Sequence, residues 1–125
     1  MIVGVGLDVI PIARIAALLE RYGGKLEERL FTSGERAYCR GRGLPEQHFA
    51  ARFAAKEALL KALGGPSGLR WQEIEVRSGA GGAPELVLSG AASRAADARG
   101  VVARHLSLTH AGDVAAAVVV LEGAS

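Results

Sequence analysis

The segment EQHFAARFAAKEALLKAL (46–63) constrains this chain most. It lies between two breaks, GRGLP (41–45) and GGPSG (64–68). It is rich in alanine, the strongest helix former, and Phe49, Phe53, Leu60 and Leu63 fall on one side at helical spacing. The longest helix is therefore expected here. After it the period changes. WQEIEVRS (71–78) alternates as a half-buried strand, GAGGAP (79–84) reads as a turn, and ELVLS (85–89) as the returning strand. Residues 90–99 suit a short helix. VVARHLSLTH (101–110) and DVAAAVVVLE (113–122) read as two strands joined by a tight turn at Ala111-Gly112.

Upstream, IVGVGL (2–7) alternates and is β-branched, as a strand requires. Pro11 suits the first turn of a helix, where its missing N–H costs nothing. Ile12, Ile15, Leu19 and Tyr22 then form a stripe expected to face the core, and Gly23-Gly24 should end that helix. Residues 25–31 suit a short helical turn. Thr32 or Ser33 can cap a further helix near Gly34–Arg40, with Glu35 at its positive end and Arg36 opposing the dipole. Strand, helices, then strands with one helix is an α+β order, not βαβ alternation. The expected fold is an antiparallel sheet packed against one long helix and several shorter ones, in a single domain spanning 1–125 with no internal repeat.

Composition narrows the function. Half the residues are hydrophobic and 22% charged, which argues against intrinsic disorder. Only 5% are aromatic, so aliphatic side chains and alanine must fill the core. The single cysteine, Cys39, excludes an intrachain disulfide or a cysteine-based zinc site and suits a reducing compartment. No basic leader precedes the first strand, and no apolar run reaches the ~18 residues of a membrane span. A cytoplasmic protein without membrane association is expected. Residues 1–70 carry 11 Lys and Arg against 7 Asp and Glu, whereas residues 71–125 carry 4 against 6. The basic half should attract an anionic partner. Few aromatics and no dense Lys/Arg run argue against nucleic acid.

Four places can carry chemistry. Asp8 closes an apolar strand ahead of a helix start; spacing alone favours a capping role, with a rigid metal ligand as the functional reading. In RFAAKEALLKALG (52–64), Arg52, Lys56, Glu57 and Lys61 share one helix. A solvated face is the simpler reading, with Glu57 and Lys61 an i,i+4 pair. A half-buried polar edge is the sharper one: a carboxylate holding a hard divalent cation while the cations bind phosphate oxygens. Mg²⁺ takes one or two carboxylates plus substrate phosphates, so Asp8 and Glu57 suffice if they converge. In HLSLTH (105–110), Ser107 and Thr109 share one strand face and His110 stands at the strand end; either a surface histidine or the lining of a ligand groove fits. His48 and His105 have no evident partner, and the histidines lack metal-ligand spacing. On the first helix, Arg14, Leu18 and Arg21, and Lys25 if the helix geometry persists past Gly23-Gly24, make a basic stripe with an apolar centre, either a solvated face or a docking surface for an acidic helix. GVG (4–6) lacks the third glycine of a dinucleotide fingerprint, and no Walker or hydrolase-type serine motif is present.

Together GVGLDVIPIARI, RFAAKEALLKALG, WQEIEVRSG…GGAPEL and SLTH…AAAVVVLE resemble the holo-acyl-carrier-protein synthase family, the small bacterial 4′-phosphopantetheinyl transferases, across essentially the whole chain. The resemblance implies transfer of the phosphopantetheine arm of coenzyme A to a serine of apo-acyl carrier protein in support of fatty acid biosynthesis, releasing adenosine 3′,5′-bisphosphate. It also implies Mg²⁺ on Asp8 and Glu57, and a homotrimer with active sites between neighbouring protomers. Lys61 matches the family's phosphate-binding lysine. Arg52 and His110 match positions lining the coenzyme A site, where Ser107 and Thr109 offer further hydrogen bonds. Arg14 and Arg21, flanking Leu18, match the carrier-docking helix. The serine proton is expected to leave through either a metal-bound water or a carboxylate such as Glu57, between which the sequence does not choose. GGPSG stands where relatives commonly have a shorter Gly-Thr-Gly turn, and Ala83 where many have Lys before Pro84. The competing readings are a small basic binding module for an acidic protein or RNA and, more distantly, a metal-free hydrolase.

Overall fold

The computed structural model describes residues 1–125. The elements run β1 (Ile2–Pro11), α1 (Ile12–Leu30), α2 (Ser33–Arg40), α3 (Pro45–Ala62), β2 (Ile74–Ser78), β3 (Pro84–Leu88), α4 (Gly90–Ala98), β4 (Val101–Ala111) and β5 (Val114–Gly123). Short 3₁₀ turns at Trp71–Glu73 and Ala80–Gly82 flank β2. The α+β architecture is as expected, but the strands form two antiparallel sheets, β1-β5-β4 and β2-β3. They meet side by side where the Arg104 guanidinium donates to the Leu86 carbonyl.

Strand alternation decides which residues face α3. On β5, Ala115, Ala117, Val119 and Leu121 are buried. Their partners on β1 are Ile10, Asp8, Gly6 and Gly4. Gly4 and Gly6 let this strand approach the helix closely. A β-carbon at Gly6 would lie 1.7 Å from the Ala58 carbonyl oxygen, and one at Gly4 2.1 Å from that of Ala62. The GVG pair is thus a packing device, met by small residues at Ala54, Ala55, Ala58 and Ala62 of the helix, all buried. The central helix is not amphipathic in the ordinary sense. It touches β1, β5, α1, α2, β4 and β2, and it buries residues on nearly every side.

Several expectations need correcting. Pro11 ends β1 and serves as N-cap residue of α1, while the Ile12 N–H donates to the Asp113 carbonyl. In the stripe on α1, Ile15 is buried and Ile12 and Leu19 partly so, but Tyr22 is exposed at the break. Gly23 there has φ 64° and ψ −149°, a backbone glycine adopts at low cost. Helix resumes beyond it across a kink, so the regular spacing that would carry the Arg14–Leu18–Arg21 stripe on to Lys25 is broken there. Thr32 caps α2 through a reciprocal capping box with Glu35.

Candidate active site

The phase of β1 delivers Asp8. Glycines 4 and 6 bring the strand against α3, and Asp8 is next on the same face. It caps no helix, because α1 starts four residues later behind Pro11. At α3 it meets Lys61, whose ammonium donates to Asp8 Oδ1 at 3.0 Å and to the Leu7 carbonyl at 3.0 Å. The Asp8 side chain is only 17% exposed and that of Lys61 54%, so the pair sits at the edge of solvent. Glu57 joins this cluster. Its carboxyl is held above the usual carboxylate range, first by burial and then by the negative charge of Asp8, with Lys61 and Arg14 pulling the other way. Glu57 and Lys61 form no ion pair; Lys61 goes to Asp8 instead.

The helical rotation of about 100° per residue separates the remaining cations. Lys56 precedes Glu57 but points into the core, fully buried. It donates to Glu35 Oε1 at 2.7 Å and to the carbonyls of Trp71 and Ile74. Glu35 also accepts from the Thr32 and Val76 N–H groups. Lys56 therefore belongs to neither a solvated face nor a phosphate site. Arg52, one turn before Lys56, is buried beneath the Tyr38 ring, its guanidinium carbon 4.0 Å from the ring centroid.

Arg52 lines a second feature, a groove of about 340 Å³ bordered by Tyr38, His48, Ser78, Thr109 and His110. The structure thus brings together three of the predicted ligand-binding residues, Arg52, Thr109 and His110. It does not bring Ser107 there. Ser107 pairs with Val118 on the sheet face turned away from α3, beside the exposed Val5, Leu7 and Val9. His105 lies on that same face and pairs with Glu122. Asp8, Glu57 and Lys61 are not among the walls of the groove, so one chain carries two separate half-sites.

The first half-site fits a hard cation. Two converging carboxylates, one burdened by burial and by its neighbour's charge, gain from a divalent cation beside them. Asp8 and Glu57 are the residues that could hold one, and a hard cation such as Mg²⁺ takes one or two carboxylates and completes its shell with water and substrate oxygens. Arg14 and Arg21 are exposed on α1, with Leu18 partly buried between them. His48 and Tyr38, which complete the groove, are not evident from sequence because the groove closes only where His110 of β4 meets His48. The aromatic spacing Tyr38…His48 gave no local signal.

Residues 4–119 match the family model of the 4′-phosphopantetheinyl transferase superfamily. A holo-[acyl-carrier-protein] synthase of Anaeromyxobacter dehalogenans is 52% identical over 98% of this chain and 98% of its own length. The crystal structure of holo-[acyl-carrier-protein] synthase from Neisseria meningitidis superposes with a TM-score of 0.86 at 32% identity, covering 98% of this chain and 99% of that one. The Helicobacter pylori enzyme in complex with coenzyme A gives 0.82 at 30% identity, covering 94% and 99%.

Proposed function

The chain belongs to the 4′-phosphopantetheinyl transferase superfamily, and on that premise we propose how it works as a holo-[acyl-carrier-protein] synthase. It transfers the 4′-phosphopantetheine arm of coenzyme A to a serine of apo-acyl carrier protein and releases adenosine 3′,5′-bisphosphate, in support of fatty acid biosynthesis. The observation that supports the site assignment is the ion pair of Asp8 with Lys61, one helical turn beyond Glu57, whose carboxyl feels the charge of Asp8. It disfavours the binding-module reading, in which Asp8 caps a helix and Glu57 forms a surface ion pair.

Asp8 and Glu57 would hold Mg²⁺, which supplies charge neutralisation for the diphosphate and the departing phosphate. Lys61, half exposed, can turn from Asp8 to a phosphate oxygen. Arg52, Thr109 and His110 hold the nucleotide end of coenzyme A in the groove. Arg14, Leu18 and Arg21 dock the acidic carrier, charge steering its approach and Leu18 giving apolar contact. This places the carrier beside Glu57, whose ionisation Arg14 already favours.

The two half-sites are completed across protomers. The open face of β1-β5-β4 leaves Val5, Leu7 and Val9 each more than half exposed, an apolar patch suited to a protein interface. Three copies closing these faces as a homotrimer would set one protomer's groove, and Ser107, near another's carboxylates. The lone buried thiol Cys39 agrees with work in a reducing cytoplasm, and no helix is long and apolar enough to cross a membrane.

Mass spectrometry of apo-acyl carrier protein incubated with the chain, coenzyme A and Mg²⁺ tests the reaction. The carrier should gain one phosphopantetheine arm, and EDTA should prevent it. An unmodified carrier with Mg²⁺ present would contradict the proposal. Sedimentation should give a trimer that Leu7→Arg dissociates.

A further inference from the structure

The groove is more basic than its assigned residues account for. His48 sits between two rings, with centroids 5.9 Å from Tyr38 and 5.8 Å from His110, edge-on to both. Arg52 and Arg42 stack on Tyr38 at 4.0 and 4.2 Å. One guanidinium, Arg52, and two imidazoles thus line one small space, a second guanidinium, Arg42, stacks on the Tyr38 ring of its wall, and no carboxylate lines it. Arg52 is 4% exposed, and its buried Nε–H finds no acceptor in the protein. A buried, unpaired donor among basic groups marks a place for an anion that comes from outside.

Resting on the assignment of this groove to coenzyme A, we propose that His48 is a further anion-recognition residue: it takes up a proton from solvent as a phosphate of the nucleotide enters beside Arg52 and His110. The groups facing it are Tyr38 from α2, Arg42 from the turn after α2, Arg52 from α3 and His110 from β4. None of them is acidic at neutral pH. Burial, then the charges of Arg52, His110 and Arg42, hold the imidazole below its ordinary protonation range. A phosphate dianion reverses the sign of that local field and favours the imidazolium, which then pairs with it. The ring at position 48 therefore does two jobs. Its shape packs against Tyr38 and His110, and its titration couples binding to pH.

His48→Phe separates them, because it keeps an aromatic ring and cannot accept a proton. Titration calorimetry of adenosine 3′,5′-bisphosphate near pH 6.5, in two buffers of different ionisation enthalpy, counts protons exchanged on binding. The difference between wild type and His48→Phe removes protons that come from the ligand itself. Wild type should take up more protons than the variant, as expected when an imidazole gains a proton on binding. The variant should bind about threefold to tenfold more weakly at pH 6 and nearly normally at pH 8, because a proton held more tightly in the complex strengthens ligand binding by the same factor at most. His48→Gln should behave likewise. The imidazole resonance of His48, followed by NMR, should titrate at higher pH once the bisphosphate is added. Equal proton counts in wild type and variant, or an equal loss of affinity at pH 6 and pH 8, would overturn the role of His48 while leaving the groove's assignment intact. Failure of wild type itself to bind the bisphosphate would remove that assignment and the inference with it.

Discussion

Lys56 and Glu57 are consecutive residues on one helix, yet they occupy opposite environments. Lys56 is fully enclosed, and it donates to Glu35 and two carbonyls. Glu35 in turn accepts from two backbone N–H groups besides Lys56. This is a closed network tying α2, α3 and β2 together, and it has nothing left over for a ligand. Glu57 is half-buried, repelled by Asp8, and paired with no cation of its own. The contrast separates two uses of charge. A buried charge whose partners are all internal holds the fold together. A charge left short of partners at the edge of solvent is available for chemistry.

Substitutions on the two sides of α3 should therefore fail differently. Glu57→Gln is expected to lower transfer by about 10³-fold or more, ~4 kcal/mol of barrier, while the melting temperature stays near wild type. A large drop in melting temperature would show Glu57 to be structural. Glu35→Ala should do the reverse, costing about 3–5 kcal/mol of stability by leaving Lys56 charged and unpaired in the core. Chemical denaturation measures it, and Glu35→Gln with Lys56→Met together should lose less than the single changes added. Gly6→Ala tests the approach that brings the sides together. Its methyl meets the Ala58 carbonyl, so a loss of about 1–3 kcal/mol is expected, along with activity, as Asp8 is pushed away. Arg14→Glu should raise the carrier KM by about tenfold at low salt with little change in coenzyme A binding; an unchanged KM would remove α1 as the docking face.

On the closed side, Cys39 gives an effect that shows only at alkaline pH. Burial pushes its thiol up to about 12 from 9.0. The folded thiol keeps its proton where the unfolded one loses it, so stability falls as pH rises above about 9, by at most ~1.4 kcal/mol per pH unit. Cys39→Ala should flatten that slope in thermal melts between pH 8 and pH 11.

The strands were legible because alternation is local: the burial of Ala115, Ala117, Val119 and Leu121 can be read from VAAAVVVLE itself. Asp8 was legible as a residue but not as a ligand. What turns it toward α3 is the phase it shares with Gly4 and Gly6, and the closeness those glycines allow depends on alanines more than fifty residues away. Lys56 was misplaced among the exposed cations because Glu35, which makes its burial tolerable, lies 21 residues earlier on another helix. Tyr22 looked like core because its spacing assumed one straight helix, and Gly23 breaks it. The residues of the groove come from α2, α3, the end of β2 and the start of β3 with the turn between them, and β4, so no single stretch of sequence could announce it.

The central claim is tested most directly by Asp8→Ala, assayed by the mass of apo-carrier after incubation with coenzyme A and Mg²⁺ and checked by a thermal melt of the same preparation. The lost ion pair with Lys61 is partly exposed and worth at most about 1 kcal/mol, so the protein should melt close to wild type. The carrier should emerge without its arm. A carrier modified at the wild-type rate by this variant would show that the meeting of strand and helix at Asp8 and Glu57 is not where the reaction takes place.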